Sequence, residues 1–235
     1  MANYQSQFSL TTFSSQGKLH QIEYALTAVE KGDTCLGIKA ANGVVLATEK
    51  KLPSILVDET SFNKCAPVTD HIGVSYAGMN ADFRILLQKA RKYAINYKAT
   101  YHDPIPASIL CQEISTLVQE YTQSGGVRPF GVSLLMAGFD HEGPHLYQVD
   151  PSGSYFSWKA AAIGRNMVNA SSFLEKRYSE ESELEDAIHT ALLTLKEGFE
   201  GEMNENNIEI ATVGSDGVFR VLAPFEIRDY LSEVQ

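Results

Sequence analysis

The run His141-Glu142-Gly143-Pro144-His145 matches, letter for letter, the HExxH pattern in which two histidines hold zinc and a glutamate acts as base. That chemistry needs both histidines on one face of a helix. Gly143-Pro144 at the centre forbids the helix, because proline has no N–H to donate and its ring collides with the preceding turn. A polar hairpin turn without metal is expected there. Gly125-Gly126 offers small residues for a phosphate cradle, but no Lys or Ser follows at the required offset, and the chain has no GxGxxG, Walker or GxSxG run. Glu180-Glu181 and the pair Glu183 and Glu185 suit acid–base work by type. They sit at the polar start of a helical pattern, where carboxylates favour the helix dipole. His20, His71, His102 and His189 are scattered and read as surface or packing residues. None of these patterns implies a cofactor.

The elements that would position such residues follow from periodicity. Leu19, Ile22, Leu26 and Val29 recur at helical spacing and predict an amphipathic helix over Lys18–Glu30, ended by Gly32. Thr34–Lys39 and Val44–Thr48 flank Asn42-Gly43, a strong hairpin signal. Strands are predicted near Lys64–Val68 and Ile72–Tyr76. Phe83, Leu86, Leu87, Ala90, Ala94 and Tyr97 form one helical stripe; Ile109, Leu110, Ile114, Leu117, Val118 and Tyr121 form a second, with Pro106 near its start and Gly125 past its end. Phe130–Ala137 and His145–Val149 read as strands around an Asp140–Gly143 turn. The turn Asp150-Pro151-Ser152-Gly153 leads to a single strand over Tyr155–Ala162. A helix over Met167–Tyr178 precedes another whose start is marked by a Ser182/Glu185 capping box. Ile208–Val213 and Val218–Leu222 form a closing hairpin, and a short helix covers Pro224–Leu231. Blocks of strands with paired helices between them argue an α+β fold with antiparallel sheets.

Composition limits the partners. Nineteen Lys and Arg against 29 Asp and Glu give a formal net charge of -10 over 235 residues. So acidic a chain, with no basic cluster, is not expected to bind nucleic acid or an anionic membrane. Cys35, Cys65 and Cys111 are an odd number at wide spacing, which gives no disulfide framework or zinc pattern and suits a reducing compartment. Met1–Gly17 is polar and carries no charged side chain, unlike a signal peptide. No Pro/Gly/Ser-rich linker divides the chain, so one domain is expected.

More specific runs occur in order along the chain. Phe13-Ser14-Ser15-Gln16-Gly17-Lys18-Leu19-His20-Gln21-Ile22-Glu23-Tyr24-Ala25 resembles the N-terminal signature of proteasome α subunits. Gly125-Gly126-Val127-Arg128-Pro129-Phe130-Gly131-Val132-Ser133-Leu134, Asp150-Pro151-Ser152-Gly153 and Phe173-Leu174-Glu175 are similar to the same family in the same order. Phe8–Phe13 and Glu185–Thr190 resemble its type-2 branch. The likeness runs from about Phe8 to Leu231.

This resemblance implies a four-layer α-β-β-α sandwich of two antiparallel sheets, of the N-terminal nucleophile hydrolase kind. It implies residues 1–16 as a gating tail and 17–235 as one domain. It also implies a non-catalytic place in a heptameric ring of α subunits, stacked on catalytic β rings and docked by regulatory particles in ubiquitin-dependent protein degradation, in cytoplasm and nucleus. Catalytic β relatives use an N-terminal Thr whose own amine is the base. Here Asp33 or Thr34 falls at that position, behind the predicted first helix, with Glu49 and Lys64 near the acidic and basic partners. The resemblance assigns Lys64 to meet the C-terminal carboxylate of a regulator, with backbone near Gly32, Gly78 and Met79 completing the pocket. It assigns the gate to Ser6, Gln7, Ser15 and Tyr24; Ser15 stands where the family has Pro, and Ser6-Gln7 where it has Tyr-Asp. Two competing readings are a Thr-dependent peptidase trimmed to Thr34 and a free binding or chaperone module outside any ring.

Overall fold

Val44, Val45, Leu46 and Ala47 are apolar at every position, and a strand so built must be covered on both faces. In the computed structural model, which describes residues 12–54 and 56–233, they lie in strand β2 (Gly43–Glu49), buried along its whole length. Strand β1 (Cys35–Ala40) precedes it and helix α1 (His20–Glu30) comes before both. The chain continues through β3 (Cys65–Pro67), β4 (Ile72–Gly78), α2 (Asn80–Tyr101), α3 (Ala107–Gln123), β5 (Val132–Asp140), β6 (Gly143–Val149), β7 (Tyr155–Ser157) and β8 (Ala160–Ile163). It ends with α4 (Met167–Arg177), α5 (Leu184–Gly198), β9 (Ile208–Gly214), β10 (Phe219–Val221) and α6 (Pro224–Glu233). One sheet has the order β10-β9-β2-β1-β8 and the other β3-β4-β5-β6-β7, with every pairing antiparallel.

Strand alternation sorts side chains into three cores. On β2, Val44 and Leu46 face the other sheet, while Val45 and Ala47 meet α4 and α5. On β5, Leu135 and Ala137 face between the sheets, while Leu134 and Met136 meet α2 and α3. The result is the expected four-layer α-β-β-α sandwich. Each fully buried Leu in it contributes about 2 kcal/mol of transfer free energy.

Four local expectations need correction. The first hairpin pairs Ala40 with Gly43, so its two-residue turn is Ala41-Asn42 and Gly43 lies within the strand. A Cβ on Gly43 would sit 2.6 Å from the Val213 carbonyl oxygen; glycine serves close approach of β9, not the turn. The Ser182/Glu185 capping box does not form. Glu183 is the N-cap of α5, and Asn42 Oδ1 accepts the Leu184 N–H at 2.7 Å instead. The strand expected over Tyr155–Ala162 is two strands in different sheets: β7 pairs with β6, and β8 pairs with β1. The backbone crosses between sheets at Trp158-Lys159, whose N–H and C=O bond to Leu146 and Lys39 respectively. Finally, α1 begins two residues late, because Ser14 Oγ accepts the Lys18 N–H in a preceding turn. Its buried residues are Ala25 and Val29, leaving Leu26 exposed.

Candidate binding site around Lys64

Four chain segments meet at one end of the sandwich: the link from α1 to β1, the residue before β3, the end of β4 and the start of β5. Gly32 and Gly78 lie back to back, so that a Cβ on Gly32 would be 2.3 Å from the Gly78 nitrogen. Gly78 has φ +113°, which an L side chain rarely adopts. Met79 N–H donates to the Gly131 carbonyl at 2.9 Å, and Arg165 N–H to the Gly32 carbonyl at 3.0 Å. Lys64 approaches the same end, its Nζ 4.2 Å from the Tyr76 ring centroid and 3.7 Å from Asp33 Oδ2. Through Asp33 and Tyr76 the fold thus gathers the four predicted pocket residues. Lys64 is not a solvated strand lysine, being only 2% exposed. A buried ammonium needs partners, and the Tyr76 face and Asp33 supply them. Burial pushes the Tyr76 hydroxyl up, and the Asp33 and Glu209 carboxylates push it further.

Sequence reasoning missed Glu209. Its Oε1 accepts the backbone N–H groups of Lys64 at 3.1 Å and Cys65 at 2.7 Å, and its Oε2 lies 3.4 Å from Lys50 Nζ. The available signal was an acidic residue between Ile208 and Ile210, in a strand otherwise apolar enough for the core. By sequence Asp33 reads only as a nucleophile position, not as a partner of Lys64.

The Gly125–Leu134 run acquires a mechanical role. Arg128 forks onto Asp82 with bonds of 2.7 and 2.9 Å, and Asp82 Oδ2 also accepts the Gly131 N–H at 2.9 Å. Asp82 opens α2, so this clamp fixes the strand start that holds Met79. Burial pushes the Asp82 carboxyl up, but the Arg128 fork and the Gly131 N–H outweigh it, leaving it below its ordinary value. A carboxyl lowered by folding adds stability above its unfolded pKa, and that stability is lost as pH falls through the folded value. Arg128→Met is expected to cost about 2 kcal/mol near neutrality, because a buried carboxylate loses its fork. Urea unfolding at several pH values checks this: the gap from wild type should narrow below about pH 4. An undiminished gap at low pH would contradict it.

Other candidates separate. Thr34 is 2% exposed, and its Oγ1 is the one buried side-chain polar atom without a hydrogen-bond partner among the described residues. Glu49 pairs with Lys51 at 3.6 Å, and Lys64 turns to Asp33. Thr34 therefore has neither a free amine nor an assembled acid–base pair. Ser15 lies in an exposed turn and Tyr24 is 56% exposed on α1; Ser6 and Gln7 fall outside the described residues. His141–His145 spans the β5–β6 hairpin as the Gly-Pro pair requires, with His145 Nε2 bonded to Asp140 Oδ1 at 2.8 Å. Glu185 and Asp186 lie in the first turn of α5, as the dipole reading expects. All three cysteines are buried and free. Burial holds the Cys35 thiol up at about 11 and Cys111 at about 12, so neither is a ready thiolate.

Known proteins match the chain along nearly its whole length. The family model "Proteasome subunit" matches residues 29–213, and the N-terminal signature of A-type proteasome subunits matches residues 8–28. The chain is 66% identical to the alpha type-2-A proteasome subunit of Arabidopsis thaliana over 235 residues, covering all of both chains. It is 64% identical to the alpha type-2 proteasome subunit of Oryza sativa subsp. indica over 235 residues, again covering both chains fully. It is 56% identical to the alpha type-2 proteasome subunit of Drosophila melanogaster over 234 residues, at the same full coverage. The α-type signature, in front of a walled-in Thr34, fits a non-catalytic subunit. The chain belongs to the proteasome subunit family, on its α side.

Proposed function

We propose that the chain scaffolds the heptameric α ring of the 20S core, contributes to the axial gate, and docks regulators through Lys64. The observation that carries this reading is the Lys64 ammonium held 3.7 Å from Asp33, the residue that follows Gly32, whose backbone faces that of Gly78. An ammonium beside side-chain-free backbone suits capture of a terminal carboxylate, in a charge-assisted bond of about 1.5–3 kcal/mol. Residues 1–16 act as the gating tail and 17–235 as the single domain, and the particle serves ubiquitin-dependent degradation in cytoplasm and nucleus. Ring neighbours and the β ring would cover the exposed apolar side chains. Phe13, Tyr24 and Leu26 lie at the signature end, Ile85, Ile95 and Tyr101 on α2, Phe156 on the edge strand β7 and Trp158 just after it. Scattered apolar residues are ordinary, but clusters mark interaction surfaces.

Native purification followed by intact-mass measurement tests the placement. A very large assembly with this chain untrimmed is expected. A chain beginning at Thr34 would mean a catalytic subunit, and a free monomer would mean a module outside any ring. Lys64→Ala is expected to weaken regulator docking at the junctions this subunit forms, read as regulator retained on the purified core. Unchanged docking at every junction would overturn the pocket.

A further inference from the structure

We propose that Asp33 is an internal counter-carboxylate of Lys64, which an incoming C-terminal carboxylate must displace; this rests on the docking reading above. Among the described residues, Asp33 is the one carboxylate within ion-pair distance of the Lys64 ammonium. The contact, at 3.7 Å, is long for a charge-assisted hydrogen bond, which closes to about 2.7–2.9 Å. Asp33 holds the ammonium electrostatically without locking it.

Accessibility sets the order of events. The Asp33 side chain is 21% exposed, against 2% for Lys64. Solvent reaches the Asp33 side chain and scarcely that of Lys64. The Tyr76 ring covers Lys64 on another side and belongs to the core packed against Phe83, with ring centroids 4.0 Å apart. The movable cover is therefore Asp33. Its backbone is pinned, since a Cβ on Gly164 would lie 2.5 Å from the Asp33 carbonyl oxygen, and Arg165 bonds the adjacent Gly32 carbonyl. Rotation about the Asp33 side-chain bonds frees Lys64 without moving the strand. Two carboxylates at one ammonium repel each other, so the ligand exchanges with Asp33 and does not add to it. The ligand class is an unmodified protein C-terminus, whose single terminal carboxylate replaces the one that leaves. Asp33 thereby sets a threshold that uncharged or amidated chain ends cannot cross.

The test uses the assembled core particle carrying this chain as wild type, Asp33→Asn, Asp33→Ser or Lys64→Met, with incorporation confirmed by intact mass. The probe is a short uncharged peptide with a photoreactive phenylalanine and a free C-terminal carboxylate, its C-terminal amide serving as control. Cross-link yield to this chain is measured against peptide concentration. Both Asp33 variants are expected to lower the half-saturating concentration by about two- to fivefold, the span of a partly exposed ion pair. Lys64→Met should remove saturable labelling, and the amide should label none of the particles saturably. If Lys64→Met abolishes labelling while the Asp33 variants leave the half-saturating concentration unchanged or raise it, Asp33 is not a competitor and the docking reading stands. If wild type shows no saturable labelling, or Lys64→Met changes nothing, the docking reading falls and this inference with it.

Discussion

Gly78→Ala is expected to prevent the native sandwich from forming. Two backbone segments close on this residue from different directions. An added Cβ would lie 2.3 Å from the Gly131 carbonyl oxygen and 3.1 Å from Val132 Cα, while Gly32 already presses on the Gly78 nitrogen. Real Cβ atoms do not approach so closely, and no flexible side chain can give way. Moving Gly131 would also break its bonds to Met79 N–H and to Asp82. The φ of +113° adds strain of its own, of order 1–3 kcal/mol. Clash and strain together exceed about 4 kcal/mol, a large part of the 5–15 kcal/mol by which a domain is stable. Soluble yield and the urea midpoint of the purified chain measure the effect. Gly125→Ala is the control: a Cβ there meets nothing within 4 Å, and the change should stay within about 0.5 kcal/mol. A Gly78→Ala midpoint equal to wild type would refute the close approach of the Gly32 and Gly131 backbones to this residue.

The parts legible in the sequence are those in which one physical rule acts alone. Helices with a single broad apolar stripe, such as α2 and α3, keep their predicted faces because burial sets their orientation. Gly143-Pro144 excludes a helix on local sterics, and the hairpin follows. Errors arise where a local signal meets a tertiary demand. Asn42-Gly43 has the chemistry of a turn, yet β9 needs the space a side chain at Gly43 would fill, and Asn42 is drawn to Leu184 N–H, remote in sequence. Tyr155–Ala162 reads as one strand because nothing in its periodicity marks the change of sheet at Trp158. Leu26 fits the α1 stripe by spacing but remains exposed. At the candidate site, Lys64, Gly32, Gly78 and Met79 are named through family resemblance. Their electrostatic setting is not legible: Asp33 lies 31 residues before Lys64 and Glu209 lies 145 after it, and only the folded chain joins them.

Glu209→Ala is the other change expected to have a large effect, and its comparison with Glu209→Gln isolates the cause. Glu209 is 5% exposed in β9. One oxygen accepts two backbone N–H groups at the entrance to β3, while the other faces Lys50, itself only 13% exposed. Alanine removes every acceptor at once. The Lys64 and Cys65 N–H groups lose their partner in a place water does not readily reach, and the Lys50 ammonium loses its counter-charge. Breaking such a buried arrangement from one side costs about 3–5 kcal/mol. Glutamine keeps a carbonyl oxygen able to accept both N–H groups and gives up only the charge facing Lys50, so about 1–2 kcal/mol is expected. Unfolding free energies of the two variants from urea titration should therefore differ by at least about 1 kcal/mol. Equal losses would mean that the charge alone matters and that the backbone bonds contribute little. The same comparison bears on docking: Glu209 is bonded to the backbone of Lys64, not to its ammonium. Its removal should release the β3 entrance and displace Lys64 from Tyr76, weakening the proposed carboxylate capture even though Lys64 itself is intact. Glu209→Gln should keep capture near wild type, because the Lys64 backbone remains held.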